Sequence, residues 1–226
     1  MDELVTGIVE LRRQLGRGVA VGVSGIDCAG KTTLAAALQR ELERRGLPVL
    51  VISGDEFTRP TAERYAEPDL GLGYYRDSFD YAWLFDRLLP VVRSGEHGEL
   101  TALVSDWDRD SWQPHTFRLS AGGFVIVEGC FLFTAERGGA FDLGVWIDIS
   151  PEDALTRAQR RAKDLERMGG PDGVRERYLA RYLAGQELHL ARDAPKTRAD
   201  VLLSGYEETW TRGVSADFGG SASVRP

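Results

Sequence analysis

The chain has 226 residues, of which 42% are hydrophobic and 28% charged, and its formal net charge is −7. This composition is typical of a globular enzyme with a large core, and the acidic balance argues against a broad nucleic-acid or anionic-membrane surface. Since no apolar stretch approaches the roughly 20 residues that cross a bilayer, and the acidic start Met1-Asp2-Glu3-Leu4 is unlike a signal peptide, we expect a cytoplasmic protein without nucleic-acid or membrane partners.

The first quarter of the chain predicts helices that alternate with buried strands. Helical periodicity covers residues 2–15, and the apolar run at 19–24 predicts a strand. A helix follows to about Arg45, where Gly46-Leu47-Pro48 ends it. The uninterrupted β-branched run at 49–53 predicts a second strand that is buried on both faces, as in a parallel sheet.

The next segment, residues 58–77, is polar, aromatic and rich in Gly and Pro, and it shows no sustained period. A connection of this length is usually functional or disordered. Its tyrosines and arginines favour a loop that covers a substrate. Ser78 or Asp80 is predicted to cap a helix that runs towards Arg93, and residues 100–104 are predicted to form a short strand or hairpin arm.

The second half continues the alternation. Strands are predicted at 124–129 and 143–149, and Pro151 is predicted to start a long helix that Gly169-Gly170-Pro171 breaks. A further helix is predicted over 172–185 and a last short strand over 200–203. We therefore predict an α/β protein, a three-layer α/β/α fold with a mostly parallel five-stranded sheet and an arginine-bearing helix. It would form one domain over residues 1–212, followed by a flexible tail over 213–226.

Residues 25–33, Gly-Ile-Asp-Cys-Ala-Gly-Lys-Thr-Thr, match the P-loop pattern G-x-x-x-x-G-K-[ST] between a predicted strand and a predicted helix. In such a loop, backbone N–H groups bind phosphate oxygens at a helix N-terminus. Lys31 supplies a compact positive charge, and Thr32 supplies a hydroxyl for Mg²⁺. We predict a P-loop NTPase fold with a site for ATP, or alternatively GTP, with Mg²⁺. The predicted nucleotide-binding residues are Gly25, Asp27, Cys28, Ala29, Gly30, Lys31, Thr32, Thr33 and Arg167.

Three acidic residues follow predicted strands, namely Asp55, Asp106 and Glu128. Because ligands bind at the carboxyl ends of parallel strands, these side chains are expected near the P-loop. Glu128 follows an apolar strand, and a carboxylate buried there needs a compensating cation. Thr32, Asp55 and Glu128 are therefore predicted to organise Mg²⁺. The alternative for Glu128 is a helix-capping or hydrogen-bonded role.

Asp55 is the predicted general base, because it leads into the aromatic segment and would face both the acceptor and the phosphates. Glu56 is the competing residue. Arg157 and Arg161 are spaced to share one helix face, and with Lys31 they are predicted to offset charge in the transition state. The alternative for these arginines is a solvated face that is salt-bridged to Asp164 and Glu166.

The chain contains two cysteines, Cys28 and Cys130, which is too few for a disulfide framework. Both follow predicted strands that are often neighbours, so they are expected close together at the site, and a redox role stays open. The three histidines show no metal-ligand spacing.

These stretches together resemble the uridine kinase branch of P-loop kinases, which also includes phosphoribulokinase-like enzymes. By that resemblance, Asp55 matches the acid that activates the acceptor hydroxyl, Asp80 matches the acid that holds the ribose hydroxyls, and the arginine-bearing helix matches the lid. The resemblance spans about residues 18–204 and rests on residues 23–33, 53–57, 78–81, 105–107, 127–133, 157–164, Arg177-Tyr178, Arg181-Tyr182, Pro195 and Ala199-Asp200-Val201.

Three departures concern the parts that would recognise a pyrimidine base. Ser105 stands where uridine-selective members carry a tyrosine, residues 108–110 stand where they carry a histidine, and Ala82 stands where they continue His-Pro. The resemblance therefore implies phosphorylation of an alcohol rather than of uridine in particular. The residues predicted to bind the acceptor are Asp55, Phe57, Tyr75, Asp80, Asp106, Trp107 and Glu128.

We accordingly predict a small-molecule kinase that transfers the γ-phosphate of ATP to a hydroxyl of a nucleoside or another sugar-like acceptor. A nucleoside monophosphate kinase is one alternative. Its acceptor already bears a phosphate, which arginines would bind, and Arg59, Arg64 and Arg76 could serve this purpose. A nucleotide-dependent switch or accessory protein is another alternative. The prediction includes no further macromolecular partner, and a homo-oligomer is compatible with it.

Overall fold

The computed structural model describes residues 1–204, so the predicted tail, residues 213–226, lies outside the described residues. Its strands are β1 (Val19–Gly25), β2 (Val49–Ser53), β3 (Gly98–Asp106), β4 (Ser111–Leu119), β5 (Phe124–Gly129), β6 (Leu143–Asp148) and β7 (Val201–Ser204). Five of them form a parallel sheet in the order β2-β5-β1-β6-β7. The predicted α/β fold with a mostly parallel five-stranded sheet is confirmed.

The helices lie mainly between these strands in the chain. They are α1 (Asp2–Leu15), α2 (Lys31–Arg44), α3 (Thr61–Arg64), α4 (Leu70–Asp77), α5 (Leu89–Ser94), α6 (Pro151–Ala158), α7 (Ala162–Met168), α8 (Pro171–Arg177) and α9 (Ala184–Asp193). Wide π-helical turns, Leu84–Leu88 and Tyr178–Leu183, lead into α5 and α9, and 3-10 turns occupy Gly54–Phe57 and Pro195–Arg198.

The sheet is covered on both faces, which explains the continuous apolar runs of its strands. Along β1, alternate side chains enter two separate core clusters: Val21 packs with residues of α1 and α2, while Ala20 packs with Leu84 and Trp146 on the other face. Gly22 accommodates an aromatic layer, because a Cβ atom there would lie 2.7 Å from the ring of Phe141.

The register of the sheet determines which strand ends are neighbours. Ser53 at the end of β2 is opposite Glu128 of β5, and Ser24 of β1 is opposite Gly129. The carboxyl ends of these three parallel strands therefore meet beside the loop that follows β1. This is the edge at which open α/β sheets bind ligands.

Before residue 120, one segment differs from the sequence-based expectation, and another confirms the hairpin arm predicted at residues 100–104. The segment 58–77 contains α3 and α4 rather than an irregular loop, and the Asp69 carboxylate caps α4 by accepting from Leu72 N at 2.9 Å. Residues 98–106 form β3, which pairs with β4 in a separate antiparallel hairpin. Because β3 is outside the central sheet, Asp106 does not end a strand of that sheet.

The predicted long helix after Pro151 is interrupted. α6 ends at Ala158, and Arg161 adopts an extended conformation (φ −81°, ψ 117°) before α7 begins. Arg157 and Arg161 therefore belong to different elements instead of sharing one helix face. The helical stretch after Gly170 also continues to Asp193, well beyond the predicted end at residue 185.

Within residues 1–204, no helix combines the length and the apolar character that spanning a bilayer requires.

Candidate active site

The loop between β1 and α2 is folded tightly around one carbonyl group. Ile26 O accepts hydrogen bonds from Ala29 N at 3.2 Å and from Lys31 Nζ at 2.9 Å. Gly30 has φ 103° and Cys28 has φ 59°, so two residues adopt the left-handed region that makes this sharp turn possible. Leu34 N donates to Gly30 O, and the amides of residues 31–33 precede this first helical hydrogen bond, as at any helix start. They provide an anion site at the positive end of α2.

Lys31 carries its charge within a group of acidic side chains. Burial alone lowers the pKa of Lys31, but its neighbours, among them the carboxylates of Asp27 and Glu128, raise it, and the net pKa lies above the ordinary lysine value. The ammonium group is therefore fully protonated at neutral pH. It can compensate phosphate charge there.

Glu128 is buried at the end of β5 and is held by two hydroxyl groups. Its Oε1 atom accepts from Ser53 Oγ at 2.7 Å and from Thr32 Oγ1 at 3.2 Å. No lysine or arginine nitrogen in residues 1–204 lies within 4.0 Å of this carboxylate. A buried carboxylate with only hydroxyl partners fits a cation site, and its oxygens with the Thr32 hydroxyl are the hard donors that Mg²⁺ prefers. Sequence reasoning missed Ser53, whose position opposite Glu128 follows only from the strand register.

Asp55 and Glu56 have different surroundings in the turn after β2. Glu56 closes a capping box, because its Oε1 accepts from Ser53 N at 3.4 Å, and burial raises the pKa of Glu56. Asp55 is exposed, and no donor in the described part of the chain lies within hydrogen-bond distance of its carboxylate. Asp55 is therefore the acid that can receive a ligand.

Two adjoining cavities meet at this edge of the sheet. The P-loop cavity has a volume of about 390 Å³ and is lined by Asp27, Cys28, Gly30, Lys31, Thr32, Thr33, Asp55, Glu128, Cys130, Arg157 and Arg161. The smaller cavity, of about 120 Å³, we call the arginine cavity; its lining includes Asp27, Asp55, Arg64, Tyr74, Ser78, Trp107, Arg161, Lys163, Asp164, Arg167, Tyr178 and Arg181. Asp27, Asp55 and Arg161 line both, so they mark the boundary between the cavities.

Asp27 is fixed at this boundary by side chains from two helical segments. Its carboxylate accepts from Tyr74 Oη at 3.0 Å and from Gln186 Nε2 at 3.0 Å. α4 and α9 can come this close because they meet at glycines: a Cβ atom on Gly71 or Gly185 would lie 2.7–2.8 Å from atoms of the opposite helix. The carboxylate of Asp27 is thereby tied to the wall of the arginine cavity, although its residue belongs to the P-loop.

The arginines after β6 divide between the two cavities. Arg157 Nη1 donates to Cys28 O at 3.2 Å, and Arg161 Nη1 lies 3.2 Å from Cys28 Sγ and 3.4 Å from Asp164 Oδ2. Both arginines therefore contact the P-loop, and Arg161 also carries the salt bridge of the alternative interpretation. Arg167, expected to bind nucleotide, lines only the arginine cavity, because the break between α6 and α7 directs the second helix there.

Two residues expected to contact substrate are occupied elsewhere. Phe57 is 1% exposed and stacks on Trp83 in the core, with ring centroids 5.9 Å apart. Tyr75 donates from Oη to Asp193 Oδ2 at 2.7 Å and packs against α9. Tyr74, the preceding residue on α4, faces the cavity instead. The phase of α4 could not be known while this segment was interpreted as a loop.

Two further expected substrate contacts, Asp80 and Asp106, also serve local structure. Asp80 accepts from Ala82 N at 3.2 Å and pairs with Arg59 at 3.4 Å, and it lines neither cavity. Asp106 accepts from the amides of residues 108 and 109 at the tip of the β3–β4 hairpin. Trp107 does line the arginine cavity, where Arg64 lies 5.6 Å from its ring centroid.

Cys28 and Cys130 are both free and both line the P-loop cavity. Burial raises the pKa of the Cys130 thiol to about 12, so this residue is a neutral thiol at physiological pH. Its Sγ lies 3.7 Å from Asp27 Oδ1. Whether either cysteine has a redox role stays a prediction.

Comparison with known proteins gives a consistent set of kinases. A family model for adenylylsulphate kinases matches residues 17–64, the segment from β1 to α3 that contains the P-loop and Asp55. A uridine kinase of Klebsiella pneumoniae is 26% identical over 164 residues, which are 71% of this chain and 75% of the relative. A thymidylate kinase of Caldanaerobacter subterraneus is 27% identical over 208 residues, which are 85% of this chain and 89% of the relative.

The structural similarity extends over nearly the whole chain. A solved structure described as a possible uridine kinase from Bacillus stearothermophilus superimposes with a TM-score of 0.65 at 25% identity. The match covers 89% of this chain and 99% of the other.

Proposed function

We propose that this chain, which is similar to uridine kinases, transfers the γ-phosphoryl group of ATP to a hydroxyl of a nucleoside-like or other sugar-like acceptor. One observation carries this proposal: the P-loop cavity adjoins a second cavity, and Asp27, Asp55 and Arg161 line both. A nucleotide and a small acceptor can therefore meet at a free carboxylate. A protein that only binds nucleotide has no need of the second cavity.

On the donor side, we assign the triphosphate to the amides at the start of α2 and to Lys31. Thr32 and Glu128 would hold Mg²⁺ among the phosphates, directly or through water. Asp55, which the sequence also assigns to the metal, is kept here for the acceptor on the other side of the cavity. When bound, Mg²⁺ neutralises charge that develops on the phosphate oxygens during transfer. GTP is the alternative donor, because nothing in these contacts selects the base.

We assign the nucleobase to an open groove on the far side of Arg157. This groove is lined in part by Trp146, Asp148, Pro151 and Lys196, and it shares Arg157 with the P-loop cavity. Arg157 also contacts the P-loop carbonyl of Cys28, so one side chain would lie between the base and the phosphates. This arrangement supports a donor that extends from the groove to the boundary at Asp55.

In the proposed step, the acceptor oxygen forms a bond to the γ-phosphorus while the bond from this phosphorus to the bridging oxygen breaks. The electron pair of that bond leaves with ADP, and Asp55 takes the hydroxyl proton. Asp55 is suited to this because Glu56 is already engaged in its capping box. Arg157 and Arg161 would offset charge on the transferred group.

The experiment is a coupled assay of ADP release with ATP, Mg²⁺ and a panel of nucleosides and sugars. We expect acceptor-dependent release, and we expect Asp55→Asn to lower turnover by at least ~100-fold, the scale of a general base, with MgATP affinity nearly intact. Asp86→Asn, an exposed acid outside both cavities, is the matched control. Slow ATP hydrolysis that no acceptor stimulates would contradict a kinase and indicate a nucleotide-dependent switch instead.

A further inference from the structure

The arginine cavity has an excess of positive charge that the proposed hydroxyl transfer does not require. Its lining includes five cationic side chains and three carboxylates, an excess of two positive charges. The P-loop cavity, where a triphosphate would bind, is lined by three cations and three carboxylates. A cavity built for a neutral alcohol has no reason to exceed the phosphate site in positive charge.

Arg181 is the most unusual member of this set. It is 1% exposed, and its guanidinium donates to Ser78 Oγ at 3.0 Å and to the carbonyl oxygens of Arg64 and Leu70 at 3.2 and 3.3 Å. In residues 1–204 no carboxylate oxygen lies within 4.0 Å of it. Burial lowers the pKa of Arg181, yet a guanidinium stays charged at neutral pH. The guanidinium also lies 4.0 and 5.4 Å from the ring centroids of Tyr65 and Tyr74. All of these partners are uncharged, so an anion in the cavity would supply the counter-charge that the described residues do not.

Arg64 provides a second incomplete cation beside Arg181. Its side chain is 11% exposed, and its Nε is buried without a hydrogen-bond partner among the described residues. The nearest carboxylate, that of Asp110, is 3.9 Å away and accepts from the amide and hydroxyl of Thr61. The aromatic rings of Tyr65 and Trp107 hold the Arg64 guanidinium in position.

These arginines are separate from the reaction centre. Arg64 and Arg181 line the arginine cavity but not the P-loop cavity, whereas Asp27, Asp55 and Arg161 line both. Arg64 and Arg181 therefore do not line the cavity in which the transferred phosphate would bind. Arg167 and Lys163, which are more exposed, surround the same cavity with further positive charge.

We propose that the acceptor alcohol already carries an anionic group, a phosphate ester or a carboxylate, that binds between Arg64 and Arg181 while its hydroxyl faces Asp55. This inference rests on the proposed kinase function and narrows its acceptor to anionic alcohols. Charge-assisted, planar hydrogen bonds from arginine suit both phosphate and carboxylate oxygens. The transfer step itself is unchanged, because the anionic group takes no part in it.

A binding experiment tests the anion site without knowledge of the acceptor. Inorganic phosphate is titrated into protein saturated with MgADP, and binding is followed by ³¹P NMR. We expect saturable binding in wild type and a loss of affinity of ~10-fold or more in Arg64→Met, the scale of one charge-assisted hydrogen bond. Arg40→Met, on the exposed surface of α2, is the matched control and should bind like wild type. Arg181→Lys keeps the charge but removes the planar fork, and it serves if Arg64→Met fails to fold.

A turnover experiment then separates the two sources of negative charge. ADP release is compared for ribose and ribose 5-phosphate, for glycerol and glycerate, and for uridine and uridine 5′-monophosphate. We expect the anionic member of at least one pair to have a kcat/KM ~10- to 100-fold higher. Arg64→Met should remove this preference without changing the KM for MgATP.

The outcomes distinguish this inference from the proposed function. Phosphate that does not bind beside MgADP, or binds equally to Arg64→Met, overturns the anion site even if some neutral alcohol is phosphorylated. Absence of acceptor-dependent ADP release with detectable phosphate binding contradicts the kinase function instead. A product with a new phosphoanhydride rather than a new ester, seen by ³¹P NMR, would overturn the hydroxyl acceptor and favour a nucleoside monophosphate kinase.

Discussion

The two cavities that meet at Asp55 are built in different ways. The P-loop cavity is assembled from one continuous loop, the ends of adjacent strands and two arginines that follow β6, and its charges balance. The arginine cavity combines side chains of the P-loop, α3, α4, the β3–β4 hairpin, α7 and the helical stretch before α9, and it has an excess of positive charge. The first cavity is the proposed nucleotide site, and the second is the proposed acceptor site.

The largest expected effect on turnover comes from a substitution in the P-loop cavity. Lys31→Met should lower turnover by ~100- to 1000-fold, because it removes a fixed positive charge where the transferred group becomes more negative. It should also weaken MgATP binding while leaving phosphate binding beside Arg64 unchanged. Steady-state kinetics and the ³¹P titration measure these effects. If Lys31→Met weakened both sites equally, the two cavities would not be independent.

A substitution between α4 and α9 should affect mainly the acceptor side. In Gly185→Ala, the new Cβ would lie 2.8 Å from a ring carbon of Tyr74 and 2.9 Å from Gly71 O, so the helices must separate at a cost of about 1–3 kcal/mol. We expect a lower Tm and a higher KM for the acceptor, with MgATP affinity preserved. Ala191→Ser, on the exposed face of α9, is the control. An unchanged acceptor KM would show that Tyr74 and Asp27 do not shape the acceptor site in the arginine cavity.

This difference between the cavities also explains what the sequence could predict. The P-loop is contiguous, and Asp55 and Glu128 directly follow apolar strands, so local patterns located them. Ser53 could be placed beside Glu128 only once the register of β2 and β5 was known.

The acceptor side was largely beyond sequence reasoning, because tertiary contacts decide it. α4 contains Gly71 and Gly73, which lower helix propensity, and it forms because Asp69 caps it and α9 packs on it. Without that helix, Tyr74 could not be distinguished from Tyr75. The role of Arg181 likewise depends on residues more than 100 positions away, such as Ser78.

The smallest expected effect is a pH dependence of the folding stability, which originates at a buried histidine behind the arginine cavity. His189 is buried, its Nδ1 lies 2.7 Å from Asp193 Oδ2, and its Nε2 has no partner in residues 1–204. Burial lowers the pKa of His189 in the folded protein, although Asp193 opposes this shift. Near the ordinary histidine pKa of about 6.5, the unfolded chain therefore binds more protons than the folded protein. The stability is then complete above that pH and declines as the pH falls through it.

Urea unfolding between pH 7.5 and 5.5 measures this dependence. His189→Asn, whose amide can stand in for the Nδ1–H donor, should show a shallower decline in the free energy of unfolding than wild type, though a lower overall stability. Equal slopes in the two proteins would mean that His189 titrates in the folded state as it does in the unfolded chain.

The most direct test of the central claim is calorimetry of MgATP binding to the Asp55→Asn variant, which should not turn over at a significant rate. The account predicts one molecule of nucleotide bound per chain at millimolar Mg²⁺, with much weaker binding when Lys31→Met is added. If no purine triphosphate associates with the protein under these conditions, the P-loop cavity is not a donor site, and the assignment of both cavities fails.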